Sequence, residues 1–413
     1  MLPKTPAKGM RDFLPKEFAL RQHILSVIQQ TYESYGFSRI ETPAVENIEL
    51  LTSKQGGDNE KLIFKILKRG EKLQASDESN MCDLGLRYDL TVPLSRFYAN
   101  NVGQLPSVFK AMQIDSVWRA DRPQRGRFRQ FVQCDIDVIG EESNLAETEL
   151  ISATCKALGN LGFSDVTVRL SDRRLLNALA EKCGFAEEQK SAVFIALDKL
   201  DKIGVNGVMQ EVEAIASGKS VDFINMINRI TSSSNPFESC VKELGGCLPD
   251  EVKQNIEEIL YVANKTVANG RVVFDVTLVR GMGYYTGTIY EVSLDGFAGS
   301  VAGGGRYDKM IGRLTGQDVP ACGFSIGFER ITLLLQEKGA RVAKNRGAAV
   351  LVDKKLDKLS RVNVMKNCAE LRRDYNVTVL NKIKNFGYQL KQLKEQGYEV
   401  IYEYKNGAFN KID

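Results

Sequence analysis

The stretch Val117–Gly140, VWRADRPQRGRFRQFVQCDIDVIG, constrains the chain more than any other. An aromatic-apolar run enters it, and Gln133, Asp135 and Asp137 alternate along its second half. Between the two runs, Arg-Pro-Gln-Arg-Gly has the composition of a tight loop joining two strands. Five arginines fall within eleven residues: Arg119, Arg122, Arg125, Arg127 and Arg129. A strand, a cationic loop and a strand ending in acids make a clamp suited to a phosphorylated, amine-bearing ligand. The rest of the chain is read as what is built around that hairpin.

A chain of 413 residues can bury a sizeable core and should hold two or three domains. The net charge of +4 is unremarkable, but its distribution is not. From Gln336 to Asp413 there are 17 Lys or Arg against 9 Asp or Glu, a surplus of eight, so the preceding residues sum to about −4. A basic C-terminal module on a near-neutral body is compatible with nucleic-acid contact. The eight cysteines are scattered without zinc-ligand spacing, so no dedicated metal site is expected. The N-terminus lacks the apolar run of a signal peptide, and no stretch approaches a membrane span, which predicts a cytoplasmic protein with no membrane partner. The single histidine, His23, falls in a helical segment, so any mechanism must work without histidine.

Periodicity predicts a helix over Glu17–Tyr35, with Leu20, Ile24, Ile28 and Tyr32 on one face and Gly36 as its stop. Ser38–Glu46 reads as a strand interrupted by Pro43, which argues for an edge or a bulge. A helix follows Asp89, with Thr91 able to cap it and Pro93 in its first turn. Phe109–Arg119 and Phe128–Ile139 are the hairpin strands, and a helix follows over Asn144–Leu158. From Arg173 to about Val262 the pattern is mostly helical; its SGKS at Ser217 lacks the phosphate-loop frame and reads as a surface turn. Strands return at Val272–Leu278 and Thr286–Leu294. In ACGFSIGFE (Ala321–Glu329) the small residues Gly323, Ser325 and Gly327 alternate and leave one strand face open for a flat ligand. The tail reads β-α-β-α-β, a small parallel or mixed sheet.

Arginine suits planar bidentate contact with phosphate and carboxylate. Arg119, Arg280, Arg306 and Arg330 sit near strand ends and glycines and are candidates for one anion site. Asp89, Asp135, Asp137 and Glu329 are candidate ligands for an amine or a divalent ion. Asp135 and Asp137 share a strand face, but alternation alone makes no metal site; magnesium bridging nucleotide phosphates fits better. Tyr284 and Tyr285 follow two glycines and would point to opposite faces if extended.

These segments together resemble the histidyl-tRNA synthetases, which are class II aminoacyl-tRNA synthetases. YGFSRIETPAVE at Tyr35–Glu46 resembles the first class II motif, whose dimer-interface proline is here Pro43. Trp118–Gly140 resembles the second motif and GFSIGFERI at Gly323–Ile331 the third. LVRGMGYYTGTIYE at Leu278–Glu291 and AGGGRYD at Ala302–Asp308 resemble the two histidine-specific segments. The resemblance implies an α+β protein: an antiparallel sheet with flanking helices over 1–170 and 265–335, interrupted by a helical insertion at 171–264. A linker at 336–346 would lead to a small α/β anticodon-binding-like domain at 347–413. It also implies a homodimer acting on L-histidine, ATP with Mg2+, and tRNA(His).

Carried over by motif, Arg119, Arg280 and Arg330 would be catalytic: Arg119 on the ATP α-phosphate, Arg330 on the γ-phosphate, and Arg280 beside the histidine carboxylate. Arg127, Phe128 and Glu329 would complete the ATP side, with Phe128 stacking on adenine. Asp89, Thr91 and Gln133 would hold the α-amino group; Asp137 and Tyr285 would read the imidazole, with Tyr284 also on the histidine side. Two departures stand out. Gly283 takes the place of an acid in the family's Arg-Gly-Leu-Asp-Tyr-Tyr. Only nine residues follow Tyr404, where the family continues with a further strand and helix. The alternative reading is a non-catalytic synthetase-like regulatory subunit of ATP phosphoribosyltransferase.

Overall fold

The helix Pro15–Ser34 buries Leu20, Ile24, Ile28 and Tyr32, the single apolar face its spacing predicts. Gly36 follows at φ 80°, a left-handed turn that glycine makes without strain. His23 lies on the exposed side of that helix. The computed structural model describes residues 2–52, 57–74, 80–279, 284–297, 299–340 and 346–412. The chain divides into two compact units, Met1–Ala340 and Arg341–Asp413.

In the larger unit the strands begin with β1 (Ser38–Arg39), β2 (Val45–Asn47), β3 (Lys65–Leu67) and β4 (Cys82–Leu86). The central hairpin is β5 (Phe109–Trp118) and β6 (Gln130–Ile139). Then come β7 (Val166–Asp172), β8 (Gly270–Phe274), β9 (Thr288–Leu294), β10 (Ser300–Arg306) and β11 (Ala321–Gly327). Eight of these form one sheet in the order β1-β5-β6-β11-β10-β9-β7-β8, and β2, β4 and β3 form a separate small sheet.

The large sheet is mixed rather than wholly antiparallel. β1 runs parallel to β5, and β8 runs parallel to β7. Parallel neighbours cannot be joined by a hairpin and need a long crossover. The helices between Arg173 and Thr266 are the chain that joins β7 to β8, so the helical block is the crossover itself. Within it, SGKS is a surface turn: Glu213 Oε1 accepts the Gly218 N–H at 2.7 Å, and Gly218 has φ 79°.

Pro43 is exposed and lies between β1 and β2, so Ser38–Glu46 is two short strands in different sheets. Proline offers no N–H to a ladder, and the pairing changes partner at the break. Arg87, 2% exposed, ties the sheets together. Its Nη1 donates to Thr42 O at 2.6 Å and its Nε to Ser116 O at 2.8 Å. Its Nη2 lies 3.1 Å from the Asp115 carboxylate.

Arg306 does not join an anion site. Its register partner is Cys322, on the sheet face opposite Gly305 and Gly323. There it meets Glu147 of the helix Leu145–Asn160, with Nε and Nη2 each 2.7 Å from a carboxylate oxygen. It also donates to Glu141 O at 3.2 Å and Ser143 O at 3.1 Å. Both side chains are buried, so the pair clamps helix to sheet behind the strands.

The smaller unit adds β12 (Gly347–Val352), β13 (Asn376–Asn381), β14 (Val400–Lys405) and β15 (Ala408–Ile412), in the order β13-β12-β14-β15. Alternation on β12 explains its two cores. Val350 and Val352 face Val364 and Cys368 of the helix Lys358–Leu371, while Ala349 and Leu351 face Leu393 of the helix Phe386–Gln396. The nine residues after Tyr404 hold one more strand, β15, which the sequence reading did not assign. Asn406 and Gly407, at φ 53° and 78°, make the two-residue turn that pairs β15 antiparallel to β14. Among the described residues no helix is long and apolar enough to cross a membrane.

Arg306→Met would leave Glu147 charged and buried without its partner. The expected loss is about 3–5 kcal/mol, largely regained in the Arg306→Met/Glu147→Leu double variant. Urea unfolding followed by circular dichroism measures both.

Candidate active site

The sheet face opposite Arg306 bounds a cavity of about 310 Å³. β6 contributes Gln133, Asp135 and Asp137, which alternate onto one face. In register across from them on β11 lie Gly327, Ser325 and Gly323. Both glycines and Ser325 line the cavity, as their alternation predicts. The space depends on small residues. A Cβ at Gly323 would fall 2.0 Å from Asp137 Oδ1, and one at Gly305 would fall 2.8 Å from the Tyr285 ring.

Three buried carboxylates converge here: Asp89, Asp135 and Asp137. Burial pushes the Asp137 carboxyl up to about 7, although a hydrogen bond from Tyr307 Oη at 2.7 Å pulls the other way. Burial also pushes Asp135 well up, and the neighbouring Asp137 charge adds to the shift. Asp89 is raised by burial too, against a hydrogen bond from the Val92 N–H at 3.0 Å. That bond corrects the expected cap. In the first turn of the helix Thr91–Asn101 it is Asp89 that accepts a free backbone N–H, and no capping bond from the Thr91 side chain is among those described. Thr91 lines the cavity beside it.

Gln133 joins the acids to the first arginine. Its Nε2 donates to Ser325 Oγ at 2.9 Å and, at 3.3 Å, to Asp135 Oδ1. Its Oε1 accepts from Arg119 Nη2 at 3.1 Å. Arg119 extends the hairpin pairing by one bond beyond β5, its N–H donating to Arg129 O at 2.8 Å. Its guanidinium is packed 4.2 Å from the Tyr88 ring centre and 5.1 Å from that of Phe131. Arg330, in the first turn of the helix Phe328–Glu337, also lines the cavity and donates to Ser300 O.

The hairpin loop closes one side. Arg127 and Phe128 line the cavity; Arg127 Nη2 donates to Asp121 at 2.9 Å. Arg125 pairs with Glu337 and Arg129 donates to Asp121 O, so these two arginines brace the loop. Glu329 lines the cavity, yet Arg21 holds both its carboxylate oxygens, at 2.6 and 2.8 Å. Tyr284 and Tyr285 do not diverge: they lie in a turn, both line the cavity, and their ring centres are 4.7 Å apart. Arg280 and Gly283 lie outside the described residues. Pro43 is not among the residues that line the cavity.

The cavity is thus acidic at depth, where Asp135 and Asp137 are 3% exposed, and cationic nearer solvent, where Arg119, Arg127 and Arg330 are more exposed. Such a site can hold an ammonium or ring N–H deep inside and phosphates above it. Sequence reasoning missed Tyr307, although the segment containing it was singled out, and it missed Arg21. A signal for Arg21 existed: it lies three residues before Ile24, on the buried stripe of its helix.

A family model described as Histidyl-tRNA synthetase matches residues 9–331. The chain is 48% identical over 351 residues to a histidine–tRNA ligase of Leifsonia xyli subsp. xyli (strain CTCB07), covering 81% of this chain and 80% of that protein. It is 42% identical over 334 residues to a histidine–tRNA ligase of Aeropyrum pernix, covering 79% and 73% respectively. Among solved structures, a histidyl-tRNA synthetase from Nostoc sp. PCC 7120 superposes with a TM-score of 0.78 at 25% identity, covering all of this chain and 97% of that one.

Asp137 gives a pH signature. Between the ordinary carboxyl value and about 7, native Asp137 keeps a proton that the unfolded chain has lost. Stability from this group is therefore greatest at low pH and is lost as pH rises through 7. From pH 5 to pH 8 the parent should lose about 3 kcal/mol relative to Asp137→Asn, two pH units at roughly 1.4 kcal/mol each. Thermal or urea midpoints of both proteins at the two pH values test this; parallel pH profiles would contradict it.

Proposed function

The chain belongs to the histidyl-tRNA synthetase family, and from that premise we propose that its cavity activates histidine with ATP and then delivers it to the 3′ end of tRNA(His). The observation that carries the reading is one cavity with buried carboxylates at depth and arginines nearer its mouth. A histidine ammonium fits beside Asp89, Thr91 and Gln133. Its imidazole fits against Asp137, Tyr284 and Tyr285, with Asp137 accepting a ring N–H. The carboxylate then faces Arg119, with Arg280 assigned to the same end by its motif.

In the first step a histidine carboxylate oxygen attacks the α-phosphorus of ATP. The new P–O bond forms as the bond to the leaving pyrophosphate breaks, giving histidyl-adenylate. The nucleophile is already ionised, so no general base is required. What the step needs is alignment and stabilisation of charge building on the phosphoryl oxygens. Arg119 is suited to the α-phosphate and Arg330 to the γ-phosphate. Phe128 offers a ring to adenine, and Arg127 lies beside it on the triphosphate path. In the second step a hydroxyl of the terminal tRNA ribose attacks the histidyl carbonyl; the ester C–O bond forms as the bond to AMP breaks, and AMP leaves with release of the hydroxyl proton.

A magnesium site made by the protein does not fit the donors on the ATP side. Both oxygens of Glu329 are taken by Arg21, and Asp121 is paired with Arg127. Magnesium is better assigned as part of the MgATP substrate. The basic Arg341–Asp413 unit is the proposed contact for the tRNA anticodon side. A homodimer using the exposed Pro43 segment and a cytoplasmic location complete the proposal.

The purified protein should catalyse histidine-dependent exchange of pyrophosphate into ATP. Arg119→Ala should lower that exchange by about 10²-fold or more, in line with loss of one charge-stabilising donor. Absence of exchange in the parent would refute the enzyme reading and favour a regulatory one.

A further inference from the structure

Arg21 and Glu329 are 308 positions apart, yet they form a bidentate pair with both side chains about 7% exposed. The Arg21 guanidinium lies 3.9 Å from the Phe13 ring centre and 4.6 Å from that of Phe328. A planar cation held by a carboxylate and flanked by two rings has little freedom to shift. Glu329 Oε1 is also 3.4 Å from the Val132 N–H on β6. The pair therefore joins three elements at one point: the helix Pro15–Ser34, strand β6 and the helix Phe328–Glu337.

What lies around this junction belongs to the ATP side of the cavity. Arg330 follows Glu329 directly and lines the cavity. The segment leading to Arg21 touches the hairpin loop twice. Gly9 O accepts the Arg129 N–H at 2.8 Å, and the Arg11 guanidinium lies 5.2 Å from the Phe128 ring centre. Arg11 is tied back to Glu17 at 2.8 Å, and Glu17 accepts from Gln336 Nε2 at 3.3 Å. Residues 9–21 therefore run as a strap from the loop that carries Phe128 to the helix that carries Arg330. No comparable contact links the strap to Asp89, Asp135 or Asp137 among the hydrogen bonds described there.

We propose that Arg21 is a positioning residue for the ATP half of the site, fixing Arg330 through Glu329 and, through the strap, the loop bearing Phe128. It need not touch the nucleotide. The proposal rests on the reading of the cavity as an ATP- and histidine-binding site, and it predicts an asymmetry: disturbing Arg21 weakens ATP and leaves histidine alone. A pair that matters only for stability would affect both substrates or neither.

The test uses the full-length protein with two variants. Arg21→Lys keeps the charge but loses the planar two-pronged contact. Arg21→Met/Glu329→Met removes both charges, so that no unpaired ion is left buried if the single variant folds poorly. Histidine-dependent pyrophosphate exchange gives KM for each substrate, equilibrium dialysis gives the ATP dissociation constant directly, and thermal unfolding reports the fold. Both variants should raise KM for ATP about five- to tenfold, a modest positioning effect, with a matching rise in the ATP dissociation constant. KM for histidine should stay within about twofold. Parent-like ATP values in both variants, or equal rises for the two substrates, would overturn the proposal. Failure of exchange in the parent would count against the catalytic reading alone, because dialysis of ATP still judges Arg21.

Discussion

Burying Asp89, Asp135 and Asp137 in one cavity is the costly act on which the site depends. An isolated carboxylate taken out of water loses several kcal/mol of solvation and responds by holding its proton. The three acids do respond in this way, each shifted upward by burial. What keeps them in place is neutral hydrogen bonding: Tyr307 to Asp137, the Val92 N–H to Asp89, and Gln133 to Asp135. None of the three is locked by a bidentate arginine among the bonds described. The acids stay available to a cationic or N–H-bearing ligand, and that availability distinguishes them from Glu147 and Glu329, whose oxygens are already held by arginines.

The same contrast sorts the arginines. Those that meet a buried carboxylate through two nitrogens, Arg306 and Arg21, act as fasteners. Arg119 is held differently, by a backbone carbonyl, a glutamine oxygen and two aromatic rings, none of which cancels its charge. A guanidinium restrained by neutral partners remains attractive to a phosphate. Composition cannot make this distinction, since all of these arginines sit near strand ends or on helices of ordinary sequence. The face of the strand can: Arg306 is out of phase with Gly305 and Tyr307, so period-two alternation sends it away from the cavity.

The hairpin, the alternation of Gln133, Asp135 and Asp137, and the glycine-spaced strand were legible in the sequence because each rests on local periodicity. So were the apolar stripe of the first helix and the helical block. Contacts that depend on three-dimensional registry were not. The Asp89 cap competes with Thr91 two residues away, and only the backbone turn decides between them. Tyr307 reaches Asp137 because β10 and β11 pair so that Gly305 lies opposite Gly323. The last strand did leave a local signal, the Asn-Gly pair at 406–407, a strong short-range mark of a two-residue hairpin.

The sheet order explains why so large an insertion leaves the site intact. The cavity strands β6, β11 and β10 lie in the middle of the eight, and their ladders are antiparallel. β7 and β8 lie at the far end, with β9 between them and β10. A crossover of some ninety residues attached at that edge adds helices without entering the hydrogen-bond ladders that set the register of Asp137 against Gly323. The opposite edge tolerates interruption for the same reason, and there β1 gives way to Pro43 and the small second sheet. The long crossover and the proline break thus both fall at ends of the sheet. The central strands, where one added Cβ would strike Asp137, have no such latitude.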